Sequence, residues 1–438
     1  MRFDAAGVYD AKDVAFAPGS LLLEVESEAP TAPVGPLAGR ARVLAVGRPG
    51  EVDAHPAARV GLRIARPGAV LIPGLVNAHA HLDLTHLGPV ALDERRGFDA
   101  FLERVRLGRR TDEAGIAESV RRGVELSRAG GVVAVGDIAG APMGRPSTAA
   151  YRALGESGLA GVSFLEFFAV GATQEASIAR LRITVEEAPE RIERVALGLQ
   201  PHAPYSVMPP GYGAAIEIAS GRMPLATHLA ETLDEREFIA RATGPQRALL
   251  DGLGIWNDSV LAHIGRGRRP VEHLAPHIAG AGFVCAHVND ASDADIELLA
   301  RAGACVAYCP RASEYFRAAG DFGPHRYRDM LSAGIPVALG TDSIMNLPAW
   351  TGGPRGRIST LDEMRLLHRR DGAPARALLA MATLHGARAL RLDAREYQLE
   401  EGATPRGIVC VPSAGSMADP LAGALSGLDD PEVLFLAR

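Results

Sequence analysis

The sequence has 438 residues, of which 47% are hydrophobic and 22% charged, so it can bury a large core in one big domain and a smaller one. Its formal net charge is −6 and its arginines are scattered among acidic residues, which leaves no basic stripe for nucleic acid. No N-terminal segment combines positive charge, an apolar core and a cleavage site, and no apolar run is long enough to span a bilayer. We therefore expect a cytoplasmic protein that binds neither nucleic acid nor membranes.

The first part of the chain has strand character, and a repeating pattern follows it. Residues 1–66 alternate short apolar runs, such as Ser20–Val25, with Gly, Pro and Asp, which predicts part of a small β-unit. From residue 67, strand-like runs alternate with amphipathic helical segments, as in βα repeats with a parallel sheet. The strand candidates are Val70–Leu82, Val132–Ile138, Val162–Phe168, Val195–His202, Pro224–Leu229, Gly282–Val288, Cys305–Pro310 and Pro336–Asp342. Eight such units close a (β/α)₈ barrel, whose functional residues lie at the carboxyl ends of the strands.

The end of the chain returns to strand character in Gly407–Val411 and Val433–Leu436. We therefore predict an α/β fold in which residues 1–66 and 393–438 form a small β-sandwich from both chain ends. Residues 67–392 form the TIM-like barrel. The irregular stretch from Thr243 to Ala281 is predicted to be an enlarged loop-and-helix insertion beside the site.

Two histidines end the first barrel strand. His79 and His81 are two residues apart, so along a strand they point to the same face and can hold one divalent metal. Alone, a His-x-His pair is a weak signal, but His228 ends the fifth candidate strand and Asp342 the eighth. Three nitrogens and one carboxylate oxygen suit Zn²⁺ or Fe²⁺, with a water in the remaining position. Such a metal lowers the pKa of its water and makes a nucleophile available near neutral pH.

Further polar residues follow the same strand ends. Glu231 comes three residues after His228, so the chain must turn to bring both into one pocket, where a carboxylic acid can move protons. His287, after the sixth strand, can polarise the attacked atom or orient the water, and Asp342 can take the proton of that water. His202, after the fourth strand, is placed to bind substrate, with a histidine held by loop carbonyls as the structural alternative.

Six motifs occur in the order PGLVNAHAHLD, PHAPYS, THLAE, AHVN, CPR and LGTDS. Together they resemble the amidohydrolase superfamily, in particular its nucleoside and nucleobase deaminase and chlorohydrolase branch. The resemblance implies a metal-dependent hydrolase acting on a small molecule. It also implies that His79, His81, His228 and Asp342 bind the metal, and that Glu231 and His287 handle protons and polarise the attacked carbon. Homodimers are common among such relatives, although the sequence leaves the oligomeric state open.

The lysine content bears on the number of metal ions. Binuclear members of the superfamily often bridge two metals with a carbamylated lysine, but Lys12, near the N-terminus, is the only lysine in this sequence. One divalent ion is therefore expected, with zinc favoured and iron as the alternative. Glu166, on the third strand, can bridge metals in some relatives. We favour a substrate-side or structural role for it.

A finer similarity concerns segments such as Phe164–Phe168 and Tyr308–Arg311, which resemble aminodeoxyfutalosine deaminases of the futalosine route to menaquinone. This implies deamination of an adenine ring. Arg311 can then anchor a substrate carboxylate, or instead tie a loop to a helix terminus. Asp137, after the second strand, is expected to be structural.

Several alternatives stay open. The same metal ligands and proton-handling residues serve deaminases of guanine, cytosine or methylthioadenosine, and also triazine chlorohydrolases. A catalytically silent scaffold is the alternative from another class. That alternative predicts loss of the metal ligands, whereas all four positions here carry ligand-type residues.

Overall fold

The structure is a computed structural model, and it describes residues 1–26, 37–347, 356–413 and 419–437. Its strands are β1 (Arg2–Tyr9), β2 (Ala15–Phe16), β3 (Gly19–Glu26), β4 (Leu37–Gly47), β5 (Arg63–Pro73), β6 (Leu75–Ala80), β7 (Val132–Ala139), β8 (Ala160–Phe167), β9 (Arg191–Ile192), β10 (Val195–Pro201), β11 (Leu225–Leu229), β12 (Phe283–His287), β13 (Cys305–Tyr308), β14 (Val337–Leu339), β15 (Gly407–Pro412) and β16 (Glu432–Ala437).

The α-helices are α1 (Pro49–Asp53), α2 (Gly97–Gly108), α3 (Glu113–Ala129), α4 (Ala149–Gly155), α5 (Gln174–Glu187), α6 (Pro209–Ala219), α7 (Leu233–Arg241), α8 (Pro245–Gly252), α9 (Pro270–Ile278), α10 (Asp293–Ala302), α11 (Pro310–Tyr315), α12 (Ala318–Phe322), α13 (Tyr327–Ser332), α14 (Thr360–Asp371), α15 (Ala375–Met381), α16 (Leu384–Ala389) and α17 (Pro420–Ser426). Within the described residues, no helix is long and apolar enough to cross a membrane.

The chain divides into two compact units. One comprises residues 1–77, 125–134 and 352–438, and the other residues 78–124 and 135–351. The first contains a seven-stranded sheet in the order β2-β1-β3-β4-β16-β15-β5, in which β1 also pairs with β5. Strands from both chain ends therefore share one sheet, as predicted, and the extra pairing curls it into a small barrel. Its core is built from alternate apolar side chains, including Phe3, Val8, Leu21, Leu71, Ile408 and Phe435.

A second sheet is the parallel barrel that the sequence predicts. Its strands run in the order β14-β13-β12-β11-β10-β8-β7-β6, with β9 paired to β10 at the side. A parallel bridge between Ala80 and Asp342 brings the first and last strands together. All residues of β7 and β8 are buried, which explains their continuous apolar runs, because parallel strands in a barrel are covered on both faces.

The prediction of one continuous strand over Val70–Leu82 was wrong. The chain breaks at Gly74 into β5, which pairs with β15 in the terminal sheet, and β6, which begins the barrel. A Cβ atom on Gly74 would lie 2.5 Å from the Val133 side chain, so the crossing point needs a glycine. The other seven candidates each begin and end within three residues of an observed strand. The domain limits 1–66, 67–392 and 393–438 stay a prediction.

The irregular stretch from Thr243 to Ala281 contains α8, a 3₁₀ helix (Asp258–Ala262) and α9. Its apolar side chains join those of α7 and the loop after β10 in one buried cluster, which includes Tyr205, Phe238, Leu250, Val260 and Ile264. The Arg247 guanidinium lies over the Trp256 ring, 3.6 Å from its centroid. The stretch therefore has its own core, which packs against the helix that follows β11.

Candidate active site at the carboxyl ends of the barrel strands

The four predicted metal ligands converge at the carboxyl end of the barrel, and we call them the imidazole cluster: His79, His81, His228 and Asp342. The Nε2 atoms of His81 and His228 lie 3.3 Å apart. Oδ1 of Asp342 lies 3.4 Å from Nε2 of His81 and 3.8 Å from Nε2 of His79. All four side chains are buried. The alternation along β6 and the closure of the barrel at Ala80 and Asp342 produce this convergence.

The donor atoms of this cluster fit a divalent metal. Nδ1 of His228 lies 2.9 Å from the carbonyl oxygen of His202, which can only accept, so Nδ1 carries the proton and Nε2 presents a lone pair to the cluster. Ligands about 2.0–2.1 Å from a tetrahedral zinc lie about 3.3–3.4 Å from one another, which matches the two shorter separations above. The ligand atoms of His79, His81 and His228 all lie within 4.8 Å of one another. His79, His81, His228 and Asp342 can therefore hold one ion.

Electrostatics keep these imidazoles in the form that binds a metal. Burial, reinforced by the neighbouring imidazoles, lowers the pKa of His79, His81 and His287 well below the usual value. Burial also raises the pKa of Asp342. Neutral imidazoles offer lone pairs, and a bound cation would favour the ionised form of the carboxylate.

Glu231 and His287 form a second pair beside the imidazole cluster. Oε1 of Glu231 lies 3.6 Å from Nε2 of His287, and both residues are buried. Burial, then the charges of Asp342 and Glu235, raise the pKa of Glu231 well above the usual value for a glutamate. This shift favours the protonated carboxyl, which can act as an acid.

The loops that carry these residues contain an unusual backbone conformation. Ala230, His287, Val288 and Asp342 all have positive φ, between 51° and 71°. Each such residue other than glycine costs about 1–3 kcal/mol. The chain turns sharply at the ends of β11, β12 and β14, and the turn at Ala230 brings Glu231 to the same pocket as His228.

A second group of ionisable side chains lies next to the first, and we call it the arginine cluster: Asp83, Arg109, Glu166 and His202. Asp83 and Glu166 are buried, whereas Arg109 and His202 are partly exposed. Arg109 lies 3.2 Å from both Asp83 and Glu166, and Oε1 of Glu166 lies 4.0 Å from Nε2 of His202. Burial opposes ionisation, yet His202 and Arg109 bring the pKa of Glu166 down to about 2. Because burial lowers the pKa of His202 to about 3, Arg109 is the permanent charge that keeps Glu166 ionised.

The predicted residues outside the two clusters lie as follows. Asp137, at the end of β7, accepts from the backbone N–H of Leu82 (3.0 Å) and from Oγ of Ser163 (3.4 Å). Arg311 is buried near the start of α11, which follows β13. Nδ1 of His202 shares a hydrogen bond with Oγ of Ser206 over 2.6 Å. Nε2 of His202 faces Glu166. The partner of Nδ1 of His202 is therefore a serine side chain. The structural alternative considered from the sequence was a histidine held by loop carbonyls.

Several residues of the site were not found from the sequence. Arg109 follows α2 and contacts Glu166 across 57 residues of sequence, and no local pattern indicates that contact. His325 lies in no motif that the sequence analysis singled out, but its Nε2 lies 2.9 Å from the carbonyl oxygen of His287 and its ring stacks on Tyr308. Asn289 belongs to the AHVN motif, which was the signal available for it, and its Nδ2 donates to the carbonyl oxygen of Glu231.

Comparison with characterised proteins adds relatives of known activity. The chain is 30% identical over 295 residues to the aminodeoxyfutalosine deaminase of Deinococcus radiodurans, a match that spans 64% of this chain and 65% of that protein, just under two thirds of its length. It is 28% identical over 375 residues to a 5-methylthioadenosine/S-adenosylhomocysteine deaminase of Symbiobacterium thermophilum, spanning 81% of this chain and 75% of the relative.

Solved structures with the same fold include two enzymes. Helicobacter pylori aminofutalosine deaminase in complex with methylthio-coformycin superposes with a TM-score of 0.72 at 18% identity, over 99% of this chain and 97% of that one. Atrazine chlorohydrolase from Arthrobacter aurescens complexed with zinc gives a TM-score of 0.70 at 21% identity, over 99% and 95% of the two chains. These likenesses establish the fold.

The profile of the amidohydrolase family matches residues 70–417, which is more than half of the chain. The matched region includes every residue of the imidazole cluster and of the arginine cluster. It also runs through all eight strands of the parallel barrel. The chain belongs to the amidohydrolase family.

Proposed function

We propose that this protein is a metal-dependent hydrolytic deaminase of an aminated heterocycle, with the adenine ring of an adenosine-like nucleoside as the substrate class. The observation that carries the proposal is the buried pair of Glu231 and His287, 3.6 Å apart, beside the three clustered nitrogens of His79, His81 and His228 and the Asp342 carboxylate that faces two of them. Deamination of such a ring needs a nucleophile at the amino-bearing carbon and an acid that protonates the ring and the departing amine.

In this proposal His79, His81, His228 and Asp342 hold one divalent ion, with zinc favoured and iron as the alternative. When bound, such an ion supplies a water-derived nucleophile at neutral pH. Asp342 takes the proton that the attacking water loses, because its carboxylate lies inside the cluster and faces two imidazoles.

Glu231 supplies the acid. Its raised pKa favours the protonated carboxyl, which can donate its proton to the ring nitrogen next to the attacked carbon. After the addition the proton that Asp342 holds can pass to the amino group, which then departs as ammonia. His287 is the neutral neighbour that orients Glu231 and polarises the attacked carbon.

The substrate-side residues in this proposal are His202, Arg311 and Glu166. His202 presents Nε2 to the pocket because Ser206 occupies its other nitrogen. Glu166 is an ionised acceptor held by Arg109, which suits hydrogen bonding to substrate hydroxyl or amino groups. Arg311 is the candidate anchor for a substrate carboxylate.

Within the nucleosides, aminodeoxyfutalosine is the finer proposal, which would connect the protein to menaquinone biosynthesis. The relative in Deinococcus radiodurans and the fold neighbour in Helicobacter pylori support it. The second candidate is 5-methylthioadenosine or S-adenosylhomocysteine, because a relative with that activity matches 81% of this chain. Deamination of guanine or cytosine, and hydrolysis of a chlorotriazine, are further outcomes that the experiment separates.

The experiment measures ammonia release by the zinc-loaded protein from aminodeoxyfutalosine, 5-methylthioadenosine, S-adenosylhomocysteine, adenosine, guanine and cytosine. Chloride release from a chlorotriazine is followed alongside. Preferred turnover of an adenosine-like compound is the expected result. Turnover of guanine, cytosine or the chlorotriazine alone would contradict the substrate class, and silence across the panel with metal bound would contradict the deaminase or favour a silent scaffold.

A further inference from the structure

Glu231 sits in a turn, and its backbone is held from outside the pocket. On a continuing strand it would face away from His228, but Ala230 adopts φ 54° and reverses the chain after β11. A side chain on a one-residue turn of this kind can shift unless neighbouring groups fix the peptide units on both sides of it. The structure provides such groups on each side.

The first of these groups is Glu235, which is completely buried in the first turn of α7. Its Oε1 accepts the backbone N–H of Ala230, and its Oε2 accepts the backbone N–H of Glu231, both over 2.8 Å. Thr232, the residue before α7, caps the helix, and its side chain accepts the backbone N–H of Glu235 over 3.2 Å. One carboxylate therefore fastens two consecutive peptide units to the start of a helix.

The second group holds the other side of Glu231. Nδ2 of Asn289 donates to the Glu231 carbonyl oxygen over 3.1 Å, and Oγ of Ser313 donates to Oδ1 of Asn289 over 2.7 Å. The Glu231 carbonyl oxygen can only accept, so the Asn289 atom that faces it is the NH₂ group, and the Ser313 hydroxyl donates to the remaining Oδ1 and helps to hold this orientation. Both residues are buried, so water does not compete for these bonds.

We propose that Glu235, Asn289 and Ser313 are positioning residues that hold the Glu231 carboxyl in its reactive place, an inference that rests on the proposed function. Glu235 and Asn289 contact the backbone of Glu231, and Ser313 acts through Asn289. The three residues lie after three consecutive strands, β11, β12 and β13. Small errors in such placement are expensive, since a displacement of about 1 Å can cost about 10²-fold in rate.

The test begins with Glu235→Gln. The amide keeps the size of the side chain but turns one acceptor oxygen into an NH₂ group, so one of the two backbone N–H bonds is lost. We expect kcat for the best substrate to fall about 10–100-fold, while KM changes by less than about twofold and metal content stays the same. Glu237→Gln is the matched control, because Glu237 is an exposed glutamate on the same helix, bonded to Thr243. It should leave kcat and KM unchanged.

Ser313→Ala is the milder variant, and it keeps the proposal testable if Glu235→Gln does not fold. Without the hydroxyl, the Asn289 amide can rotate, and we expect kcat to fall about 3–10-fold. Ser313→Thr restores a hydroxyl and should recover most of the lost kcat. A lower melting temperature with unchanged kcat in both Glu235→Gln and Ser313→Ala would overturn the proposal, because it would mark a purely structural role.

Hydrogen–deuterium exchange gives a readout that does not depend on activity. In the wild type the amides of Ala230 and Glu231 should exchange slowly, and in Glu235→Gln about 10-fold or more faster, whereas Glu237→Gln should match the wild type. If the wild type releases no ammonia from any compound of the panel, the proposed function fails. The exchange experiment still tests whether Glu235 holds the backbone of Ala230 and Glu231. Unchanged exchange in Glu235→Gln would overturn that part of the proposal.

Discussion

The imidazole cluster and the arginine cluster lie side by side, and they handle buried charge in opposite ways. In the imidazole cluster, burial lowers the pKa of His79 and His81 well below the usual value, and the histidine nitrogens face one another and Asp342. In the arginine cluster, Arg109 lies 3.2 Å from each of two buried carboxylates and keeps Glu166 ionised. The imidazole cluster offers lone pairs to a cation, whereas the arginine cluster already contains a cation, the Arg109 guanidinium.

This difference bears on which cluster suits a metal ion better. Glu166, His202 and His228 also bring ligand-type atoms within 4.8 Å of one another, so proximity alone does not decide. His228, however, has one nitrogen with a lone pair, because Nδ1 donates to the His202 carbonyl. An ion at Glu166 would also lie beside the guanidinium of Arg109, which repels it. The imidazole cluster is therefore the better metal site.

The largest effect should come from removing a ligand of the imidazole cluster. His81→Ala should lose most of the bound metal, and activity should fall by about 10³-fold or more, because the nucleophile is lost with the ion. Metal content measured by mass spectrometry, together with the rate of ammonia release, checks this. Arg109→Met is the matched change in the arginine cluster, and we expect it to keep the metal. Equal metal loss in both variants would break the distinction between the clusters.

Glu231→Gln separates metal binding from proton transfer. The amide cannot supply the acid proton, so kcat should fall about 10²–10³-fold while metal content stays at the wild-type level. Steady-state kinetics on the zinc-loaded variant measure this. Full activity in this variant would remove Glu231 from the mechanism.

Arg311→Met tests whether a buried arginine outside the arginine cluster binds the substrate. A lost charge-assisted bond should raise KM about 10–100-fold for a nucleoside that carries a carboxylate, with little change for adenosine. The comparison uses both substrates in the same assay. An equal rise for the two would show that Arg311 supports the loop and does not anchor a carboxylate.

Asp137→Asn should have the smallest effect, a change in the free energy of unfolding. Asp137 lies outside the arginine cluster but is influenced by the charge of Asp83, which belongs to it. Burial, reinforced by Asp83, raises the pKa of Asp137 to about 7 in the folded protein, above its value in the unfolded chain. The stabilisation is therefore present at low pH and is lost as pH rises to about 7, when the buried group must ionise. Asn avoids that ionisation and can keep the bond from Leu82. Relative to the wild type, the variant should gain about 1–3 kcal/mol of unfolding free energy between pH 5 and pH 8.

Urea unfolding of both proteins at the two pH values measures this gain. The difference between the proteins removes effects that they share, such as metal release at low pH. A difference that does not change with pH would contradict a folded-state pKa of about 7 for Asp137.

Much of the imidazole cluster could be predicted because each of its residues can be recognised from the short sequence around its own strand end. Two histidines on alternate residues of a strand must share a face, and carboxyl ends of parallel strands meet at one end of a barrel. These two rules bring His79, His81, His228 and Asp342 together, as the structure has them. The turn that Glu231 requires was also predictable, since a straight strand would have pointed it away, and Ala230 provides it.

The arginine cluster and the groups that hold Glu231 were not predictable for the opposite reason. Arg109 reaches Glu166 from the end of α2, and Ser313 reaches Asn289 from α11, so each contact depends on how helices pack above the strands. The break at Gly74 was missed because an apolar run looks the same in one buried strand as in two consecutive strands. Only the close approach of Val133 distinguishes the two cases.

The most direct test of the central claim is anomalous diffraction at the zinc edge from crystals of the zinc-loaded protein. The account predicts one ion per chain, within bonding distance of His79, His81, His228 and Asp342, with Glu166 still paired to Arg109. An ion bound by Glu166 and His202, or two ions per chain, would contradict this account.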